Sequence, residues 1–142
     1  MNWQKIIIAA IIYTVIAHIF HYAGVLLTMD YYTNPLYFPL WSKLMMPEPG
    51  APPTGFFIAT LVVNLAIGFV FAGMYSILKK AVPGKKLRKG VNYGIILFFL
   101  TCVPWILVTY LLLAVPEMLL LAWTAESLII YTLGGMAFSK LL

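Results

Sequence analysis

The chain has 142 residues, 63% of them hydrophobic and only 9% charged, with a mean hydropathy of +0.99. A soluble domain is about 45–50% apolar and about 25% charged, so this composition excludes a soluble globular domain, a disordered segment and a nucleic-acid-binding module, and leaves an integral membrane protein. The formal charge of +5 sets orientation in such a protein and does not mark a nucleic-acid partner, for which a basic solvated face would be needed.

The first apolar run, Ile6 to Met29, carries no formal charge. It exceeds the about 7–15 residues of a signal-peptide core, so it reads as a retained first span, roughly residues 6–28. A second span covers 55–78, after Gly50-Ala51-Pro52-Pro53. A third covers 91–115 and ends at Pro116, and a fourth covers 118–138, interrupted by Glu126. Each is long enough to cross a hydrocarbon layer. Backbone groups in lipid must be satisfied within their own segment, so these are helices. The expected fold is all-α, a single antiparallel four-helix transmembrane bundle over 1–142. A short interfacial aromatic segment, 30–54, joins helices one and two, and a basic loop, 79–90, joins helices two and three. Spans three and four form a tight hairpin through Val115-Pro116-Glu117.

The basic loop holds Lys79, Lys80, Lys85, Lys86, Arg88 and Lys89, and four spans put Lys5 and Lys140 on the same side, leaving Lys43 alone opposite. The positive-inside bias predicts a multi-pass protein of the inner or plasma membrane with both termini cytoplasmic. The basic cluster then lies against anionic lipid.

The segment after helix one carries Tyr31, Tyr32, Tyr37, Phe38 and Trp41. Pro39 is suited to open a short helix with Leu40, Trp41, Leu44 and Met45 on its apolar side. Such a segment is either an interfacial anchor, since Tyr and Trp collect at headgroup level, or a lid over an outward-opening cavity. Its residues Tyr32, Pro35, Leu36, Tyr37, Trp41, Lys43, Leu44 and Met45, with the opening Met1-Asn2-Trp3, resemble a family of small four-helix bacterial membrane proteins, domains of unknown function. The resemblance implies the four-span layout and brings no activity with it.

Polar side chains in lipid cost free energy and normally face the bundle or a wet cavity. Thr14, His18, His21 and Tyr22 share one face of helix one. Thr60, Asn64, Gly68 and Ala72 recur every four residues on helix two. Helix three offers Thr101, Trp105 and Thr109, and helix four offers Trp123, Glu126 and Ser127. At 1.5 Å rise per residue, His18 lies roughly 20 Å from Lys5, and Asn64, Trp105 and Glu126 lie roughly 14–15 Å below the outer boundary. A polar, aromatic pocket opening outward is therefore expected around His18, His21, Asn64, Trp105 and Glu126. Pro104 should kink helix three at that depth. The inner half carries Gly68-x-x-x-Ala72 and Gly90-x-x-x-Gly94, patterns that allow close helix approach within the chain or across a dimer.

Glu126 is either a clamp between helices or a ligand or proton site. With His18 and His21 it forms a set of two imidazoles and one carboxylate suited to zinc or iron. Haem ligation by two histidines across helices is excluded, because helices two to four carry no His. Nothing else calls for a cofactor, and there is no nucleophile–base motif, phosphate loop or CxxC. Three functions are compatible with these residues. The first is binding or transport of a small molecule, lipid or proton. The second is an accessory subunit of a larger membrane complex, docked through residues 31–46. The third is a membrane enzyme with a His/Glu metal site. The expected partners are membrane lipids, with a further copy of the chain or a host complex.

Overall fold

The computed structural model describes residues 2–48 and 52–142, so part of the aromatic segment, 49–51, lies outside the described residues. The chain is all-α. Helix α1 covers Trp3–Leu27, α2 covers Asp30–Thr33, and a 3-10 turn covers Pro35–Leu40. Helix α3 covers Thr54–Leu78. Helix α4 (Lys86–Leu97) continues through a π-helical turn (Phe98–Cys102) into α5 (Val103–Leu112), and α6 covers Glu117–Leu141. Four stretches, Trp3–Leu27, Thr54–Leu78, Lys86–Leu112 and Glu117–Leu141, are long and apolar enough to cross a membrane.

Local chemistry sets the boundaries. The Asn2 side chain accepts from the Lys5 N–H and starts α1. Pro53 and Pro116 precede α3 and α6, and Glu117 complements the positive end of the α6 dipole. The third long helix begins at Lys86 rather than Val91 and stops at Leu112 rather than Val115. Hydropathy detects the apolar stretch, whereas helical hydrogen bonding runs on into the basic link at one end. At the other, it stops where Leu113 turns extended.

Pro39 does not open a helix. Asn34 accepts from the Leu36 N–H and Pro35 begins a 3-10 turn instead, so Pro39 falls inside that turn and Trp41 is extended. Pro104 does distort its helix. The N–H of Val103 reaches back five residues to the Phe98 carbonyl, a π-turn directly before the proline that has no N–H to give.

The long helices pack antiparallel in the order α3, α1, α6, α4: α1 lies between α3 and α6, and α6 lies between α1 and α4. Association inside a membrane depends on close packing and hydrogen bonds rather than on water exclusion, and the small residues show where this happens. Gly90 and Gly94 of α4 lie against the backbone of Gly135, Met136, Tyr131 and Thr132 of α6. Tyr13 of α1 is wedged between Gly68 of α3 and Gly134 of α6.

Around Tyr13 lies an aromatic core. Its ring meets Phe71 edge-on at 5.7 Å and Phe138 in a stack at 5.9 Å, and Tyr75 meets Tyr93 at 5.0 Å. Tyr93 donates its hydroxyl to the Phe71 carbonyl at 2.8 Å, so α3 and α4 are tied across the bundle at this level. Farther toward the aromatic segment no comparable hydrogen bond joins them among the described residues, and α3 does not pack closely along α5. The half near the basic link is closed, and the other half is open between α3 and α5.

Candidate functional site

The polar site is built where α1 and α6 approach near the aromatic segment. His21 Nδ1 is bonded to Glu126 Oε1. Glu126 is largely buried, its side chain 12% exposed, whereas His21 is 49% exposed. Gly24 stands one turn from His21 on α1, and the space a Cβ would fill there is occupied by the Glu126 carboxylate. Thr28 donates its hydroxyl to the Gly24 carbonyl at 2.7 Å, closing the end of the helix.

The aromatic segment folds back over this pair. Tyr32, 6% exposed, accepts at its hydroxyl from Trp123 Nε1 at 3.2 Å. Its ring stacks on Trp41 at 4.8 Å, and Trp41 donates Nε1 to the Tyr31 carbonyl at 3.2 Å. Trp41 and Trp123 meet edge-on at 6.3 Å. Tyr32, Met46 and Leu119 form a second buried cluster, with Val25, Trp41 and Trp123 packed around it. Burial raises the Tyr32 phenol above its ordinary pKa, against the opposing effect of the Trp123 hydrogen bond. Tyr37 lies 5.4 Å from Tyr31 and not in the Tyr32–Trp41–Trp123 stack.

The residues marked in the sequence are thus divided. His21 and Glu126 meet. Trp105 reaches them only indirectly, with its ring 5.8 Å from that of Trp123, and it is half exposed on the bundle surface. His18 does not join the pair; its Nδ1 is buried with no hydrogen-bond partner among the described residues. Asn64 is buried on α3, one turn from Gly68 on the face turned to α1, and belongs to that interface. Tyr22 points away from the bundle, 62% exposed. His18, His21 and Glu126 do not gather: no group of three His, Cys, Asp or Glu able to hold a metal ion occurs among the described residues.

A cavity of about 520 Å³ lies at mid-depth, lined by Ala66, Ile67, Val70 and Phe71 of α3, Thr101, Cys102 and Trp105 of the π-turn and α5, and Ser127 and Tyr131 of α6. Its lining places it between α3, α5 and α6. Tyr131 had no mark in the sequence, although its position four residues after Ser127 places both on one face of α6. Gly24 was likewise silent, because nothing in an apolar run tells which glycine accommodates a partner's carboxylate.

Compared with protein-family models, curated proteins and solved structures, the chain matches none.

Proposed function

We propose that this chain is a small multi-pass membrane protein that binds a membrane-dissolved molecule in the cleft between α3 and α5. The ligand enters sideways from the hydrocarbon. The positive-inside bias supports a cytoplasmic basic link and cytoplasmic termini, with the aromatic segment on the outer face. In this reading the segment is a fixed cap that seals the outer end over Glu126 and His21, and the pair clamps α1 to α6 so that the cleft keeps its back wall.

The cleft itself carries the reading. Its volume of about 520 Å³ lies within the roughly 300–1,000 Å³ of small-molecule sites. On α3 it is lined by Ala66, Ile67, Val70 and Phe71, all apolar, and no charged side chain lines it. A neutral, largely apolar occupant is the one such a lining accepts, since an ion there would lose its solvation without a partner.

The test is photolabelling in phosphatidylcholine vesicles with a fatty acid carrying a diazirine at mid-chain. Adducts should concentrate on Ile67, Val70, Trp105 and Tyr131, and Ala66→Trp, which fills the cleft from its open side, should remove most of them. Even labelling over Ile58, Val62, Leu107 and Leu111, unaffected by Ala66→Trp, would overturn the proposal.

A further inference from the structure

We infer that the recess between the start of α1 and the end of α3 binds the phosphate of an anionic phospholipid, held by Lys5 and Lys79. The site is separate from the cleft between α3 and α5 and does not depend on it. Because α1 and α3 pack side by side in opposite directions, the first turn of one lies beside the last turn of the other. The recess there has a volume of about 310 Å³. It is lined by Asn2 and Lys5 of α1, by Ser76, Ile77 and Lys79 at the end of α3, and by Leu142.

The lining is rich in donors. The Asn2 side-chain oxygen already accepts from the Lys5 N–H, which leaves its amide N–H groups to give. The Lys79 ammonium is fixed by a hydrogen bond to the Leu142 carbonyl at 2.6 Å, and an ammonium has three protons to donate. Lys5 supplies a second ammonium and Ser76 a hydroxyl. Lys89 donates to the Lys79 carbonyl at 2.8 Å and so brings a third positive charge close by. The first N–H groups of α1 and the positive end of its dipole add to the same field.

No acidic side chain balances these cations. Asp30, Glu48, Glu117 and Glu126 all belong to the aromatic half, and the ion pair among the described residues is that of His21 with Glu126. A recess with two ammoniums and no carboxylate side chain in its lining selects an anion. Phosphate oxygens can take several charge-assisted N–H bonds at once. The source is a lipid because the recess borders hydrocarbon. Ile77 in its lining is 71% exposed, and Trp3, 55% exposed, follows Asn2, where an indole marks headgroup level. An acyl chain along Ile77 continues from a phosphate at Lys5 and Lys79. The site differs from the general attraction of the basic link for an anionic surface, since Lys80, Lys85, Lys86 and Arg88 do not line the recess.

The experiment is native mass spectrometry of the whole protein, released from dodecyl maltoside micelles holding equal amounts of phosphatidylglycerol and phosphatidylcholine. One phosphatidylglycerol should stay bound per chain, in preference to phosphatidylcholine. Lys5→Gln and Lys79→Gln should each weaken it about fivefold, the effect of one cation near an anionic headgroup, and Lys79→Arg should retain it. Lys85→Gln and Lys86→Gln remove the same charge outside the recess and should leave binding unchanged. Inorganic phosphate and glycerol 3-phosphate should not displace the lipid. Helicity by circular dichroism checks that each variant folds, and Lys5, exposed on the first turn of α1, carries the test if Lys79→Gln does not. Equal losses in all four glutamine variants, or equal retention of the two lipids, would overturn the site. Displacement by inorganic phosphate would overturn the lipid as its occupant.

Discussion

The carboxylate of Glu126 lies where a side chain on Gly24 would have to go. The absence of a Cβ on α1 is thus what lets an acidic side chain of α6 reach His21. The obstacle is the tip of a flexible side chain, which can swing aside, so Gly24→Ala should cost the pair and little else. Interhelical polar contacts in membranes are worth about 0.6 kcal/mol on average and up to about 1.7. Unfolding in detergent should show Gly24→Ala, His21→Ala and Glu126→Gln each destabilised by about 1 kcal/mol. Gly24→Ala combined with Glu126→Gln should cost no more than either alone. Full additivity would show that the glycine does not act through the carboxylate.

The glycines between α4 and α6 should behave differently. A Cβ on Gly135 would meet the backbone of Gly90 and the amide nitrogen of Gly94, the latter at 2.9 Å. Backbone cannot swing aside. Gly135→Ala and Gly94→Ala should therefore separate the helices, with losses of at least about 1–3 kcal/mol. Gly73 and Gly55 face open space, and Gly73→Ala should be neutral or stabilising by up to about 1 kcal/mol through helix propensity. Folded yield and thermal midpoints for the three variants would decide; equal tolerance at all three sites would refute the close-packed seam.

Tyr32 closes the cap through its hydroxyl and its ring. Because burial raises its pKa, the folded cap favours the protonated phenol. Its contribution is complete below the ordinary phenol value of about 10 and is lost as pH climbs through the raised value. Emission from Trp41 and Trp123 should shift above that point as the segment loosens. Tyr32→Phe keeps the stack on Trp41 and removes the titration, so its emission should stay constant over the same alkaline range.

Orientation can be checked with single cysteines placed in a Cys102→Ala background. In intact cells a membrane-impermeant maleimide should label Ser42→Cys and leave Lys85→Cys untouched. The opposite pattern would invert the protein and put the aromatic cap in the cytoplasm.

Much of this architecture is written along the chain. Four apolar runs, each longer than a bilayer requires, leave the backbone no option but helices, because hydrocarbon offers no partner for an exposed N–H or C=O. Pro104 likewise announces the distortion realised as the Phe98–Cys102 turn. The pairing of His21 rather than His18 with Glu126 is not written there. Both histidines lie on the same broad face of α1, and the choice depends on which of them the packed α6 brings Glu126 against. Tyr13 shows the same limit: as one tyrosine in an apolar run it is ordinary, and it becomes the hub only because Gly68 and Gly134 arrive from two other helices. The cleft has the same origin. Periodicity describes each helix about its own axis, whereas a gap between α3 and α5 exists only once glycine contacts draw α4 onto α6 and Tyr13 holds α3 and α6 together around α1. Span number and apolar faces are properties of single segments and follow from composition. Which polar groups meet, and where space is left, are set by interhelical distances that only the packed bundle possesses.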